Sequence, residues 1–221
     1  TVEDLLLHTS GLSHRTADLY RDLAVRSRAD TLPQFVTKIA RAPLMEDPGT
    51  RFRYSEATTV LGRLVEIWSG TPFDRFLETR VLGPLKMDDT RFWVPADARA
   101  RLATVYAPGE DGGLRPVEIE DVPFTDRPAL IEGAVGLVST VPDFLRFSQM
   151  LLNGGALDGV RVLKAETTAR IVGNGLPPAV LAPPVIHEPP ECADEKHARA
   201  ARRVEDALAA LKALPLDQLA A

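Results

Sequence analysis

The run Pro48-Gly49-Thr50-Arg51-Phe52-Arg53-Tyr54-Ser55-Glu56 leads straight into an amphipathic segment, and this junction limits what the chain can become. Pro-Gly marks a turn. Beyond it, Val60, Leu61, Leu64, Val65 and Trp68 recur at helical spacing over residues 57–69, and Gly70 stands where a left-handed residue closes a helix. A turn followed by a helix delivers Tyr54 and Ser55 to the helix start. That layout suits a phenol held at the mouth of a cleft. Taken by itself, Tyr54 reads as a tyrosine packed against a turn.

The remaining elements follow from capping and periodicity. Residues 1–12 read as one short helix with Thr1 as N-cap and Asp4 at N3, with Leu5, Leu6 and Leu7 buried and Gly11 as its end. Residues 19–42 read as helix in two pieces broken near Pro33. Thr71-Pro72 opens a helix through Phe73, Phe76, Leu77 and Val81 that Pro84 ends. Residues 92–95 read as extended. Glu110-Asp111-Gly112-Gly113 reads as a hairpin tip between Val105-Tyr106 and Val117 to Ile119. Thr140 caps a helix with Pro142 in its first turn and Asp143 at N3, closed by Asn153-Gly154-Gly155. A strand over 160–163 and a helix over 165–172 follow. Six prolines between Pro177 and Pro190 predict an extended linker, and 193–221 is Ala-rich, charged and helix-favouring, with a narrow stripe of Val204, Leu208 and Leu211.

Composition excludes several classes. Hydrophobic residues make up 45% and charged residues 26% of 221 positions, as in ordinary globular chains. A net charge of −5 argues against a nucleic-acid partner, which needs a basic face. No apolar run reaches the length of a membrane span. The single cysteine, Cys192, excludes an intrachain disulfide and leaves the compartment open. The chain starts at Thr1 without an initiator methionine, and is read as a processed chain or a piece of a longer one. His187, Glu188, Glu191, Cys192, Asp194 and His197 cluster, but their spacing matches no zinc pattern, and a solvated polar linker is the reading; no metal is expected.

Several short segments occur in a characteristic order: Leu5-Leu6-Leu7-His8-Thr9-Ser10-Gly11-Leu12, Pro48-Gly49-Thr50 with Phe52 and Tyr54-Ser55, Leu61-Gly62-Arg63-Leu64-Val65-Glu66, Gly83-Pro84-Leu85-Lys86-Met87-Asp88-Asp89-Thr90, and Gly136-Leu137-Val138-Ser139-Thr140 with the helix up to Gly155. Together they resemble the serine β-lactamase and penicillin-binding-protein superfamily, closest to class C β-lactamases and family VIII carboxylesterases, over roughly residues 1–175. Lys86 stands where that pattern usually has glycine. The resemblance implies acyl transfer: a serine attacks an ester or lactam carbonyl, and water releases the acid from the acyl-enzyme. It implies Tyr54 as general base beside a lysine, whose ammonium would favour the phenolate. Ser55 and Glu56 take the neighbouring substrate-binding positions. Glu56 stands where the lactamase pattern has Asn, and an ionised carboxylate only accepts hydrogen bonds. That departure argues against β-lactamase activity, while the segment around it, Tyr54 to Glu66, is closer to the esterase branch; the preference between esters and lactams stays open. As a residue in the first turn of a helix, Glu56 also simply suits the dipole.

The partners of Tyr54 are missing from the sequence. No serine is followed by lysine three positions later, and neither Lys-Thr-Gly nor His-x-Gly occurs. In the family the nucleophile precedes the HTSGL segment. The chain therefore reads as a partial α/β (α+β) β-lactamase-like fold: a mainly helical subdomain with part of the mixed sheet region over 1–175, a Pro-rich linker over 176–192 and a helix of unknown role over 193–221. The nucleophile is expected to be absent, no cofactor is implied, and the chain is expected to be inactive. A Ser-His-Asp set from His8, His14, Ser10, Ser13 and Asp18 is the competing hydrolase reading, without a Gly-x-Ser-x-Gly elbow. The alternative from another class is a non-catalytic remnant that self-associates through the C-terminal helix.

Overall fold

In the computed structural model, residues 1–110, 112–117 and 124–181 are described. Helix α1 (Val2–Leu6) opens with the capping box that the sequence predicts: the Asp4 N–H donates to Thr1 Oγ1 at 3.2 Å. It ends six residues earlier than predicted. His8 adopts a left-handed conformation (φ 55°), and the Thr9 N–H turns back onto the Asp4 carbonyl at 2.8 Å. Leu6 is left exposed, and Leu5 and Leu7 are half-buried, against the expectation that all three are covered.

Helices α2 (Asp18–Asp22) and α3 (Leu32–Ile39) form the two predicted pieces, but the break lies ahead of Pro33. Ala24, left-handed at φ 46°, ends α2. Pro33 instead sits in the first turn of α3, where its missing N–H costs nothing. Gln34 Oε1 accepts the Thr31 N–H at 2.8 Å and completes that cap. Helix α4 (Ala57–Ser69) has the predicted bounds, with Gly70 left-handed at φ 66° as its stop. It packs on α1, α3 and on α5 (Phe73–Leu77), which continues into a π-helical turn, Glu78–Leu82. These helices enclose the main core, around Tyr20, Phe35, Ile39, Ala57, Phe73, Phe92 and Leu130.

A 3-10 turn (Ala96–Arg101) precedes the hairpin of β1 (Tyr106–Pro108) and β2 (Leu114–Pro116), antiparallel with Tyr106 opposite Pro116. The first strand lies nearer the tip than predicted, and the Gly109 N–H reaches the Gly113 carbonyl at 2.7 Å; the Val117 N–H pairs with the Val105 carbonyl, and residues 118–119 of the second predicted strand lie outside the described residues. Helix α6 (Val141–Leu152) starts at Thr140 as read from the sequence. Asp143 in its first turn accepts the Asp89 N–H at 2.9 Å and the Thr90 hydroxyl at 2.8 Å, so it fastens the helix to the 83–90 segment. A second core of Leu85, Met87, Met150 and Leu157 lies beneath. Strands β3 (Ala156–Leu157) and β4 (Val160–Arg161) pair through Asp158-Gly159, both with positive φ, as a tight hairpin turn requires. Helix α7 (Ala165–Val172) has the predicted bounds. In place of extended chain, Pro178–Leu181 make a last helical turn, α8, and Val180 is buried. The 193–221 helix, Cys192 and most of the proline-rich stretch lie outside the described residues.

Beyond Leu130 and Ile131 of the main core, the chain comes up close against α4 at Gly133. The approach needs Gly133, because a methyl there would overlap the Thr58 carbonyl oxygen. Gly133→Ala is expected to lower stability by about 1–3 kcal/mol. Gly62→Ala, whose added carbon meets the Phe73 ring at 3.4 Å, gains helix propensity and should be close to neutral. Urea unfolding midpoints of the two variants check this; equal shifts would contradict the close approach.

Candidate active site

Two segments far apart in sequence are laced together by backbone hydrogen bonds. The Arg53 N–H donates to the His8 carbonyl, Gly49 N–H to Thr9 and Met45 N–H to Gly11, each at 2.8 Å, and Glu56 N–H to Ser13 at 3.1 Å. The lacing leaves no room for a side chain at Gly11, where a β-carbon would run into the Glu46 carbonyl. Arg53 and Glu46 pair across it, and the hydrogen bonds from Arg53 hold the Glu46 carboxyl below its ordinary range. Asp4 braces the other end. Its carboxylate accepts the Thr1 hydroxyl at 2.6 Å and the Thr9 hydroxyl at 2.9 Å. The Thr1 hydrogen bond foremost brings its pKa down to about 2.

The laced loop presents Tyr54 outward and the next two residues inward. Tyr54 is 58% exposed, whereas Ser55 and Glu56 are buried. Ser55 meets His8: its hydroxyl lies 3.2 Å from Nδ1, and its N–H donates to the same nitrogen at 3.3 Å. Glu56 accepts the Thr59 hydroxyl at 3.1 Å and faces the Arg15 guanidinium at 3.7 Å. Below them Tyr20 accepts the Ser13 N–H at 3.0 Å; burial pushes its phenol pKa up, against that hydrogen bond.

From the sequence, Tyr54 is expected beside a lysine, and no histidine is expected near it. The structure puts an imidazole against it twice: the His8 ring at 5.0 Å and the His14 ring at 5.7 Å, centroid to centroid. No local pattern signals this, because His8 and Tyr54 lie far apart along the chain. The nearest clue is that His8 opens the HTSGL segment and His14 follows it by two residues. The competing Ser-His-Asp set is not assembled. His8 pairs with Ser55, His14 with Thr16 at 2.8 Å, and Asp18 with Arg21. Among the described residues, no group of three or more His, Cys, Asp or Glu is placed to hold a metal ion, and no helix is long and apolar enough to cross a membrane.

Comparison with known proteins places this arrangement. The profile of the family described as Beta-lactamase matches residues 1–182. The chain belongs to the β-lactamase family. "Protein Rv1367c" of Mycobacterium tuberculosis is 39% identical over 172 residues, 75% of this chain and 42% of that protein. "Esterase EstB" of Burkholderia gladioli is 34% identical over 129 residues, 55% of this chain and 32% of the esterase. The solved structure of "EstCE1, a hydrolase with promiscuous acyltransferase activity" superposes with a TM-score of 0.64 at 27% identity, covering 75% of this chain and 48% of that one. The chain thus spans less than half the length of these relatives, and its fold is part of a β-lactamase-like fold with serine hydrolases among its neighbours.

Burial lowers the pKa of His8 below its ordinary value of 6.5. The unfolded chain therefore takes up this proton before the folded one does. Stability from the neutral ring is complete above about pH 6.5 and declines as pH falls from there through the folded pKa. Urea unfolding at a series of pH values, beside His8→Asn, checks it: the variant should lose that part of the slope.

Proposed function

We propose that the chain carries the tyrosine arm of a Ser/Lys/Tyr acyl-transfer site for small esters or lactams, and that by itself it is inactive. The observation that carries this reading is Tyr54, a solvent-open phenol on a laced loop at the start of a helix, inside a family match that runs over residues 1–182. In the reaction, the phenolate takes the proton of an attacking serine hydroxyl as the acyl–oxygen bond forms, and returns it to the departing alcohol or amine; a water then repeats the step. Esters are the favoured substrates because a relative is named as an esterase; Glu56, buried between Thr59 and Arg15, does not face a substrate. Inactivity follows from the absence of a Ser-x-x-Lys, since losing a nucleophile removes nearly all rate beyond binding and oxyanion effects.

Hydrolysis of a short-chain nitrophenyl ester by the purified chain, beside Tyr54→Phe, is expected at background for both. Turnover by the parent that vanishes in Tyr54→Phe would overturn the inactivity. The tyrosine role is tested in a chimera of EstB that carries the matching residues of this chain. There Tyr54→Phe should lower kcat by ~10²-fold or more; an unchanged rate rejects the role.

A second reading has its own support. Trp68 is 67% exposed on α4, and Phe144, 63% exposed, stands with Val141 and Leu152 on α6, more open apolar surface than single scattered residues. The chain then acts as an association module. Light scattering should show a species larger than the monomer that persists without residues 193–221 if these faces associate, and reverts to monomer if the C-terminal segment drives it. A monomer in both rejects the reading.

A further inference from the structure

An exposed tyrosine that transfers protons has a difficulty. Its reactive oxygen must stay within about half an ångström of one place, yet Tyr54 has little protein packed around it. We propose that His8 is a positioning residue for Tyr54, assisted by His14, and that the hold depends on the bond between the Ser55 N–H and His8 Nδ1. The proposal rests on Tyr54 being the proton-transfer group and adds how that group is kept in place.

The two imidazoles approach the phenol at tilts of 36° and 30°, within the centroid range of offset aromatic pairs. Each is fixed in the same manner. His8 Nδ1 accepts the Ser55 N–H at 3.3 Å, and His14 Nδ1 accepts the Thr16 N–H at 3.3 Å. A backbone N–H can only donate, so each Nδ1 must carry a lone pair and each ring its proton on Nε2. The Phe52 ring backs His8 edge-on, at 5.9 Å and 71°. Only a side chain arranged this way joins both neighbours of the bend: the His8 ring lies on Tyr54 while its nitrogen anchors Ser55.

The backbone of His8 points the same way. A left-handed conformation at a residue other than glycine is uncommon and strained. At His8 (φ 55°) it is retained, with the carbonyl held by the Arg53 N–H at 2.8 Å. An asparagine tolerates this conformation and could accept the Ser55 N–H through its amide oxygen, but has no ring to lay on Tyr54. Histidine alone supplies both.

Protonation of His8 opposes the arrangement. An imidazolium turns an N–H toward the Ser55 N–H, so the bond to that backbone donor is lost and only the Ser55 hydroxyl, 3.2 Å away, is left to accept. The charged groups around it do not favour that proton. Asp4 is occupied by the hydroxyls of Thr1 and Thr9, Glu46 by Arg53, and Glu56 faces Arg15, while His14 lies against the same phenol. Tyr54 is therefore held in neutral solution and released as His8 takes up a proton.

Nuclear magnetic resonance on the unmodified chain, labelled at histidine nitrogen and tyrosine ring carbon, tests this without any activity. The His8 Nδ1 resonance should have the shift of an unprotonated acceptor at neutral pH. The Tyr54 ring signals should move in one step with His8 protonation, below pH ~6.5. In His8→Asn that step should be lost and the Tyr54 signals should shift toward those of an unconstrained tyrosine, with the circular dichroism of the fold retained. In His14→Asn the step should persist with a smaller amplitude. Tyr54 signals that ignore His8 titration in the unmodified chain overturn the proposal, whether or not the variants fold. Signals that follow it while the Tyr54→Phe chimera keeps full turnover leave the positioning intact and sink the proton-transfer role instead.

Discussion

Everything at the candidate site hangs on the backbone lacing of residues 8–13 to residues 45–56. Four hydrogen bonds, from Met45, Gly49, Arg53 and Glu56, join strips of chain that are neither helix nor ladder. Such strips would otherwise leave buried donors and acceptors without partners, each at a cost of about 1–3 kcal/mol. The lacing explains why small residues recur in these segments. Gly11 must have no β-carbon where the Glu46 carbonyl passes, and Gly49 takes a φ of 82° to bring its own N–H onto Thr9. Two motifs that look unrelated along the sequence are one structural unit.

From that unit the division of labour at residues 54–56 follows. The Glu56 N–H is tied to Ser13 and helix α4 begins at Ala57, so the three side chains before the helix fan out in fixed directions. Tyr54 goes to solvent. Ser55 goes to the His8 nitrogen. Glu56 goes under the surface, between Thr59 and Arg15. A phenol at this place is exposed yet directed, which neither a core tyrosine nor a loop tyrosine would be.

What could be read from the sequence divides along the same physical line. Helices whose stability is local and capped were legible to the residue: Ala57–Ser69 with Gly70, Val141–Leu152 behind Thr140 and Pro142, and Ala165–Val172. Tyr54 was legible through its motif. The errors fall where distant contacts outvote local preference. The leucine run in α1 favours a longer helix, but the His8 carbonyl is claimed by Arg53 from another part of the chain. Pro33 was taken as a breaker, whereas the break belongs to Ala24 and its left-handed turn. The first hairpin strand lies nearer the tip than predicted, where Gly109 and Gly113 pair. The imidazoles around Tyr54 could not be read at all, since only the lacing brings residue 8 to residue 54.

Stability and the candidate chemistry also rest on restraints of different strength. The segment that meets α4 at Gly133 is fastened by Glu132, fully buried between two guanidinium groups: Arg26 Nε at 3.0 Å and Arg28 Nη1 at 3.4 Å. Losing one partner of such a buried pair costs about 3–5 kcal/mol, far more than any surface ion pair. Leu130 and Ile131, just before Glu132, lie in the same core as Phe92 and as Leu12 of the laced strip. Tyr54, by contrast, is held by two rings and a single backbone bond, interactions of about 1 kcal/mol apiece. Strong restraint lies in the core, and weak, protonation-sensitive restraint lies at the phenol. A site built this way can lose its tyrosine, or change the residues that hold it, while the fold beneath stays assembled.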